Sequence, residues 1–436
     1  MTTALEIPGL FIPAASVRYA TGSWDGWWVI NYGLGVDSTA ILLRLCEVLD
    51  ELAAGTRQSL TGPACDGEAS PVLPEGLAVE RLVIVTAMTG SEWPIHRRLV
   101  EQHVLPRLAQ HGIRYVQVAR TGPRKGHGIT VLDDSRTPSR LHMDGTYRLY
   151  EEMVTAGTIP QLGGARKCSQ KAKGVPADEA IALVTGGKPY RQIMGYEVSE
   201  STRCAKDTAA NSPLRTGVYP LVTWGWTREM CELYIHERTG EWWPKSACTF
   251  CVYALANREG RARVLGGFAA DPALAWEPLL METVAEALNP SQTLMADRSL
   301  YDLMAATPGQ ETALRLFEER AQAEPWAVVD VRRAISGPGR GARAITVLGE
   351  GTRADCLLAL EAAACRAGQE VEVKGRHPRL WLRRRADGVF PTAEHLVVVA
   401  PATVQDKVGP QFPKAWEKAL ATSTSAAARG PLELVV

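Results

Sequence analysis

Nowhere in its 436 residues does the chain carry a run of about 18 uncharged apolar residues, so no transmembrane helix is expected. The stretch Met1 to Ser16 lacks a basic region followed by a long apolar core, which argues against a secretory leader and for a cytoplasmic protein. A surplus of one charge is missing too. Lys plus Arg and Asp plus Glu stand at 48 each, so any contact with nucleic acid has to come from local patches and not from a global field. Nine cysteines are too few for a disulfide scaffold in a chain this long, and none follows Cys365. There is no internal repeat. What is present is a 46% hydrophobic content, enough for a sizeable core spread over two or three domains.

The first strong segment, Trp27 to Asn31, reads as an apolar strand that runs through a Gly-rich loop into a buried helix beginning near Ser38. A Gly/Pro/Ser-containing connection, Gly55 to Gly76, leads to a strand at Arg81 to Ala87, a helix at Trp93 to Gln110 and a strand at Arg114 to Ala119. Residues 120 to 165, rich in Gly, Arg, Pro and Asp, suggest a long surface excursion able to act as a lid. The sheet resumes at Arg191 to Gly195, and a helix follows at Arg228 to Arg238. Alternation of this kind predicts an α/β fold with a doubly wound, mostly parallel sheet. Helical patterns at Ala270 to Leu288 and Gly309 to Ala323 then give way, across a Gly-rich hinge at Ser336 to Gly341, to a small α+β unit. That unit has strands near Ile345 to Leu348, Val371 to Lys374, Leu380 to Arg384 and Leu396 to Ala400 around a helix from Arg353 to Ala367, with a disordered final dozen residues. The expected divisions are 1–255, a helical region 256–335, and 336–436.

The loop Gly33-Leu34-Gly35-Val36-Asp37-Ser38-Thr39 joins a strand to a helix, where backbone N–H groups and the helix N-terminus attract phosphate. Ser38 and Thr39 add hydroxyl donors, and Asp37 beside an anion makes sense if Mg²⁺ lies between them. The simpler alternative is a tight turn in which Asp37 or Ser38 is an N-cap. Cys248-Thr249-Phe250-Cys251 is a Cys-x-x-Cys turn, and Cys168 and Cys204 are the third and fourth candidate thiolates. Such a set suits zinc or a [4Fe–4S] cluster. Lys374, Arg376, Arg379, Arg383, Arg384 and Arg385 around Trp381, with Arg120, Arg124 and Lys125, are candidate phosphate contacts; an edge strand with one wet face explains the C-terminal group as well.

The phosphate loop resembles that of the N-type ATP pyrophosphatase and PAPS reductase superfamily, usually Ser-Gly-Gly-x-Asp-Ser, with Gly33 at the Ser place and Leu34 at the first Gly place. Thr89-Gly90-Ser91-Glu92-Trp93-Pro94 resembles the second-strand loop of PAPS reductases. Gly195 to Arg203 resembles the family's Gly-x-Arg-x-x-Glu-Ser-x-x-Arg segment, with Glu197 at an Arg-like place, and Pro220-Leu221 through Trp226-Thr227 resembles its Pro-Leu-x-x-Trp-Thr turn. The resemblance covers roughly residues 27 to 253. It implies ATP held by Gly33, Gly35, Asp37, Ser38, Thr39, Thr89, Gly90, Ser91 and Gly195, with Asp37, Ser38 and Arg203 serving catalysis. It also implies a relation to sulfonucleotide reductases, tRNA thiolation enzymes and DNA phosphorothioation ATPases. The leading expectation is therefore an ATP-cleaving sulfurtransferase with Mg²⁺ and an iron–sulfur cluster, acting on DNA or tRNA with a sulfur-donating desulfurase and other modification subunits as partners. The alternatives are a PAPS or APS reductase, and a nucleotide-binding subunit of a defence or modification complex with structural zinc.

Overall fold

The computed structural model describes residues 24, 26–56, 74, 76–162, 166–386 and 388–422. The expectations for Met1 to Ser16, for most of the Gly55 to Gly76 connection and for the final dozen residues lie outside the described residues. The chain forms two compact units: Met1–Leu149 with Arg166–Cys248, and Tyr150–Ala165 with Thr249–Val436. The division falls at Cys248, short of residue 255, and the regions expected separately at 256–335 and 336–436 share the second unit.

Six strands build the first unit: β1 (Trp27–Asn31), β2 (Leu82–Met88), β3 (Arg114–Arg120), β4 (Ile129–Ser135), β5 (Tyr190–Ile193) and β6 (Arg215–Val218), in the order β4-β3-β2-β1-β5-β6. All neighbours pair in parallel except β3 with β4. This is an α/β fold with a mixed, mostly parallel sheet. β2 is buried along its whole length, as a strand covered on both faces must be. Trp28 and Ile30 point into one core with helices α1 (Val36–Ala53), α2 (Ile95–His103) and α3 (Leu105–Gln110), while Val29 points into a second core with α4 (Val175–Thr185). The stretch expected as a surface excursion instead contains β4. Its residues are mostly half-buried or exposed, so no apolar alternation announces this antiparallel edge strand.

The second unit holds an antiparallel sheet in the order β12-β8-β7-β11-β10-β9. Its strands are β7 (Trp326–Gly337), β8 (Arg340–Gly351), β9 (Val371–Lys374), β10 (His377–Arg383), β11 (Thr392–Pro401) and β12 (Lys407–Val408). The Gly-rich segment expected as a hinge is the turn of the β7–β8 hairpin, inside one sheet. The helix Arg353–Ala367 starts on a capping box in which Thr352 and Asp355 satisfy each other's backbone N–H groups, and it stops at left-handed Gly368. It covers Trp326, Val328, Val397 and Val399 on one face of the sheet.

Candidate functional site

β1 is flanked by β2 on one side and β5 on the other, so the chain leaves it in one direction and returns in the opposite one. Open α/β sheets bind ligands at the carboxyl ends of strands where the order reverses. The Gly33–Thr39 loop lies there. Helix α1 begins at Gly35 with no side-chain cap, and its first backbone bond runs from Thr39 N–H to Gly35 O. The amides of Val36, Asp37 and Ser38 therefore have no partner within the helix. Neither Asp37 nor Ser38 is the N-cap.

Leu34, where a glycine is usual, adopts a left-handed φ of 62°. Its side chain turns into the core, fully buried, so it does not stand between the backbone and a phosphate. Two contacts hold the loop in this form: Trp243 Nε1 donates to Leu34 O at 3.0 Å, and Ser246 Oγ donates to Gly33 O at 2.6 Å. Thr39 is also fully buried; its hydroxyl donates to Gly35 O at 2.8 Å and meets Tyr32 Oη at 3.2 Å. It braces the loop from below. Ser38 Oγ donates to Gly35 O at 3.2 Å. Gly195, just beyond β5, passes so close that a Cβ there would lie 3.1 Å from Ser38 N and 3.3 Å from Asp37 Cβ, which makes a side chain costly.

Asp37 is the electrostatic centre. Arg228 Nη2, from helix α6 (Arg228–Thr239), donates to Asp37 Oδ2 at 2.6 Å, while α5 is Ser201–Thr208. Burial pushes the Asp37 carboxyl up to about 6; Arg228 opposes the rise and Glu200 and Glu197 reinforce it. Asp37 Oδ1, Arg228 Nε and Glu200 Oε2 are buried without a hydrogen-bond partner among the described residues. Unsatisfied buried groups are uncommon and point to a missing ligand, ion or water. Arg203, on α5, pairs with Glu200 and places its guanidinium 4.5 Å over the Tyr196 ring, which in turn stacks on Tyr219. Glu197 caps the turn after β5, accepting from Ser199 N–H at 2.9 Å.

The Thr89–Ser91 loop at the end of β2 is arranged differently from expectation. The buried Glu92 carboxylate accepts from the Thr89, Gly90 and Ser91 amides at 3.1, 3.1 and 3.2 Å, so these donors are occupied by the chain itself. Burial alone would raise the Glu92 carboxyl, yet it is lowered, because Lys173, 3.3 Å away, and the hydrogen bonds at Thr89 outweigh it. Arg148 clamps the loop from outside, donating through Nε to Gly90 O at 2.7 Å. His96 beside it is fully buried and held down to about 4 by burial first and by Lys173 second. The Lys245 backbone favours its charged form, without completing a hydrogen bond of normal geometry.

Thr89 Oγ1 lies 3.2 Å from Cys248 Sγ, and Glu92 and Cys248 form an isolated antiparallel bridge. Cys168 is half-buried on the helical turn Lys167–Ser169, and Cys251 belongs to the second unit. Cys204 is buried against Tyr219 and Val222, and burial pushes its thiol up to about 11. Among the described residues no three His, Cys, Asp or Glu side chains are grouped to hold a metal ion. Cys168, Cys204 and Cys248, all in the first unit, form no such group. Asp37 does fit Mg²⁺, which is commonly held by one or two carboxylates plus substrate phosphates.

Of the C-terminal basic residues, Arg379 is buried and donates to Ala287 O, Arg376 pairs with Glu318 beneath Tyr301, and Arg384 pairs with Glu372 over Trp381. The Lys374 side chain lies outside the described residues. Neither Arg228 nor Arg148 stands out in the sequence as part of the site; Arg228, first residue after the Trp226-Thr227 turn, carries a positional signal. Among the described residues no helix is long and apolar enough to cross a membrane. No protein-family model, curated protein or solved structure matches the chain.

Proposed function

We propose that the first unit is a doubly wound ATP pyrophosphatase-like domain that binds ATP with Mg²⁺ and breaks the bond between the α- and β-phosphates. The observation that carries this reading is Asp37. A half-buried carboxylate with one buried, unpartnered oxygen stands in the first turn of a helix whose leading amides have no intrahelical partner. Those amides suit phosphate oxygens, and Asp37 would hold Mg²⁺, which neutralises charge as it moves onto pyrophosphate. Arg203 and Arg228 supply fixed positive charge beside it.

The chemistry follows from the donor set and the resemblance together. An acceptor oxygen attacks the α-phosphorus, pyrophosphate leaves, and the adenylated oxygen becomes a leaving group that a sulfur nucleophile displaces with release of AMP. DNA or tRNA is the acceptor class; a desulfurase supplies the sulfur as a persulfide whose terminal sulfur attacks, and a thiol reductant supplies the two electrons that free the thio product from the resulting disulfide. The half-buried Cys248 thiol beside Thr89 supports sulfur chemistry near the loop. No step is routed through a metal cluster.

The test is pyrophosphate release from ATP and Mg²⁺ by the full chain, with DNA and with tRNA, in wild type and Asp37→Asn. Release that needs a nucleic acid and falls by about 100-fold in the variant supports the reading. Tight ATP binding with no pyrophosphate under any condition would instead assign a nucleotide-binding subunit.

A further inference from the structure

Leu34 is, among the described residues, the one residue other than glycine with a left-handed φ, and it stands between Gly33 and Gly35. A Cβ makes that conformation costly. Turning the Gly33–Leu34 peptide over would remove the cost. Such a flip rotates ψ of Gly33 and φ of Leu34 by about 180° each, which carries Leu34 from 62° to about −120°, an ordinary value for a residue with a side chain. Gly33 tolerates any ψ, and a Cβ built on it meets nothing within 4 Å, so neither its own conformational preference nor crowding at its Cα opposes the turn.

A single hydrogen bond opposes it. Gly33 O accepts from Ser246 Oγ at 2.6 Å and from no other group among the described residues. The next two carbonyls are held separately. Leu34 O accepts from the buried Trp243 Nε1, and Gly35 O accepts from Thr39 N at 3.1 Å, Thr39 Oγ1 at 2.8 Å and Ser38 Oγ at 3.2 Å. Ser246 is in turn fixed from both sides, because Trp243 is anchored on Leu34 and Cys248 bridges to Glu92. Gly33 is exposed and Gly35 half-buried, so phosphate can approach the loop backbone at these two residues. The φ of Leu34 sets the direction of the peptide group on its amino side relative to the one that follows.

We propose that Ser246 is a positioning residue, a latch that keeps the Gly33–Leu34 peptide in its strained orientation and so shapes the loop for phosphate. The role in phosphate binding rests on the reading of this loop given above; the latch itself does not. Without the hydroxyl, the peptide turns over, Leu34 relaxes, and a carbonyl replaces an N–H on the side of the loop facing away from Ser246. A glycine at position 34 has no strain to release, so the loop then keeps its form without the latch.

The experiment is a double-mutant cycle on the full chain, read by calorimetric binding of Mg²⁺ with α,β-methylene ATP, which cannot be cleaved between the α- and β-phosphates. Ser246→Ala is expected to weaken binding by about tenfold, and Ser246→Thr, which keeps the hydroxyl, to stay within about threefold of wild type. In the Leu34→Gly background Ser246→Ala is expected to cost less than about threefold. Denaturant unfolding of the same proteins without ligand moves the other way. There Ser246→Ala lowers stability less in the Leu34 chain, whose loop relaxes, than in the Leu34→Gly background; a hydroxyl that merely stabilises the fold would cost the same in both. Equal losses in the two backgrounds, or wild-type binding by Ser246→Ala, would overturn the proposal. A wild type that does not bind the analogue would overturn the nucleotide reading, and the unfolding cycle would still decide whether Ser246 is the latch.

Discussion

Arg228 and Asp37 are joined by a 2.6 Å contact across 191 residues of sequence, which fastens helix α6 to the Gly33–Thr39 loop. The pair sets the ionisation of the carboxylate that would meet Mg²⁺. Burial lifts the Asp37 carboxyl to about 6 even with Arg228 beside it, so loss of the guanidinium lifts it further.

The kcat/KM of a reaction that needs ionised Asp37, which reports the free protein, therefore rises with pH through about 6 in the wild type. In Arg228→Gln the inflection moves to higher pH, with a smaller shift in Arg228→Lys, which keeps the charge but not the fork. A pH profile of pyrophosphate release for the three proteins checks this. An inflection that stays in place would show that Arg228 does not set the Asp37 ionisation. The stability contribution has the opposite slope: with a folded value above the usual carboxylate value, folding favours the protonated form, and the stability present at low pH is lost as pH rises through about 6.

Leu34 trades backbone strain for burial. Its left-handed φ of 62° costs about 1–2 kcal/mol, whereas its fully buried side chain contributes more than that. Leu34→Gly removes both, and denaturant unfolding is expected to show a net loss of about 1–3 kcal/mol. A more stable variant would mean that the strain dominates.

Glu92 organises the second-strand loop from within by accepting three backbone amides. Glu92→Gln leaves one oxygen for these donors and removes the partner of Lys173, so a loss of about 2–4 kcal/mol is expected in thermal or denaturant unfolding. Its folded value lies below the usual 4.5. Its stabilisation is thus present above that pH and is lost as pH falls through the lowered value, a slope that the variant should lack.

Much of the fold was legible because its signals are local. Trp27–Asn31 and Arg353–Ala367 have the bounds that their apolar pattern and their Thr352 and Gly368 boundaries indicate. The Gly33–Thr39 segment forms the expected strand-to-helix loop for the same reason. What stayed hidden depends on partners distant in sequence. β4 is a polar strand that exists because β3 pairs with it, and Ser336 to Gly341 looks like a linker until β7 and β8 meet around it. Thr89, Gly90 and Ser91 read as ligand donors because nothing in sequence shows that the Glu92 carboxylate folds back onto their amides. Cys204 follows Arg203 in sequence as a ligand would, yet the helix turns its thiol into an apolar cluster.

The most direct measurement of the central claim is phosphorus NMR of the products formed from ATP and Mg²⁺ by the full chain in the presence of nucleic acid. The account predicts pyrophosphate matched by an equal amount of AMP carried on the nucleic acid, which an added sulfur donor releases, both lost in Asp37→Asn. ADP and orthophosphate would place the cleavage between the β- and γ-phosphates and contradict it.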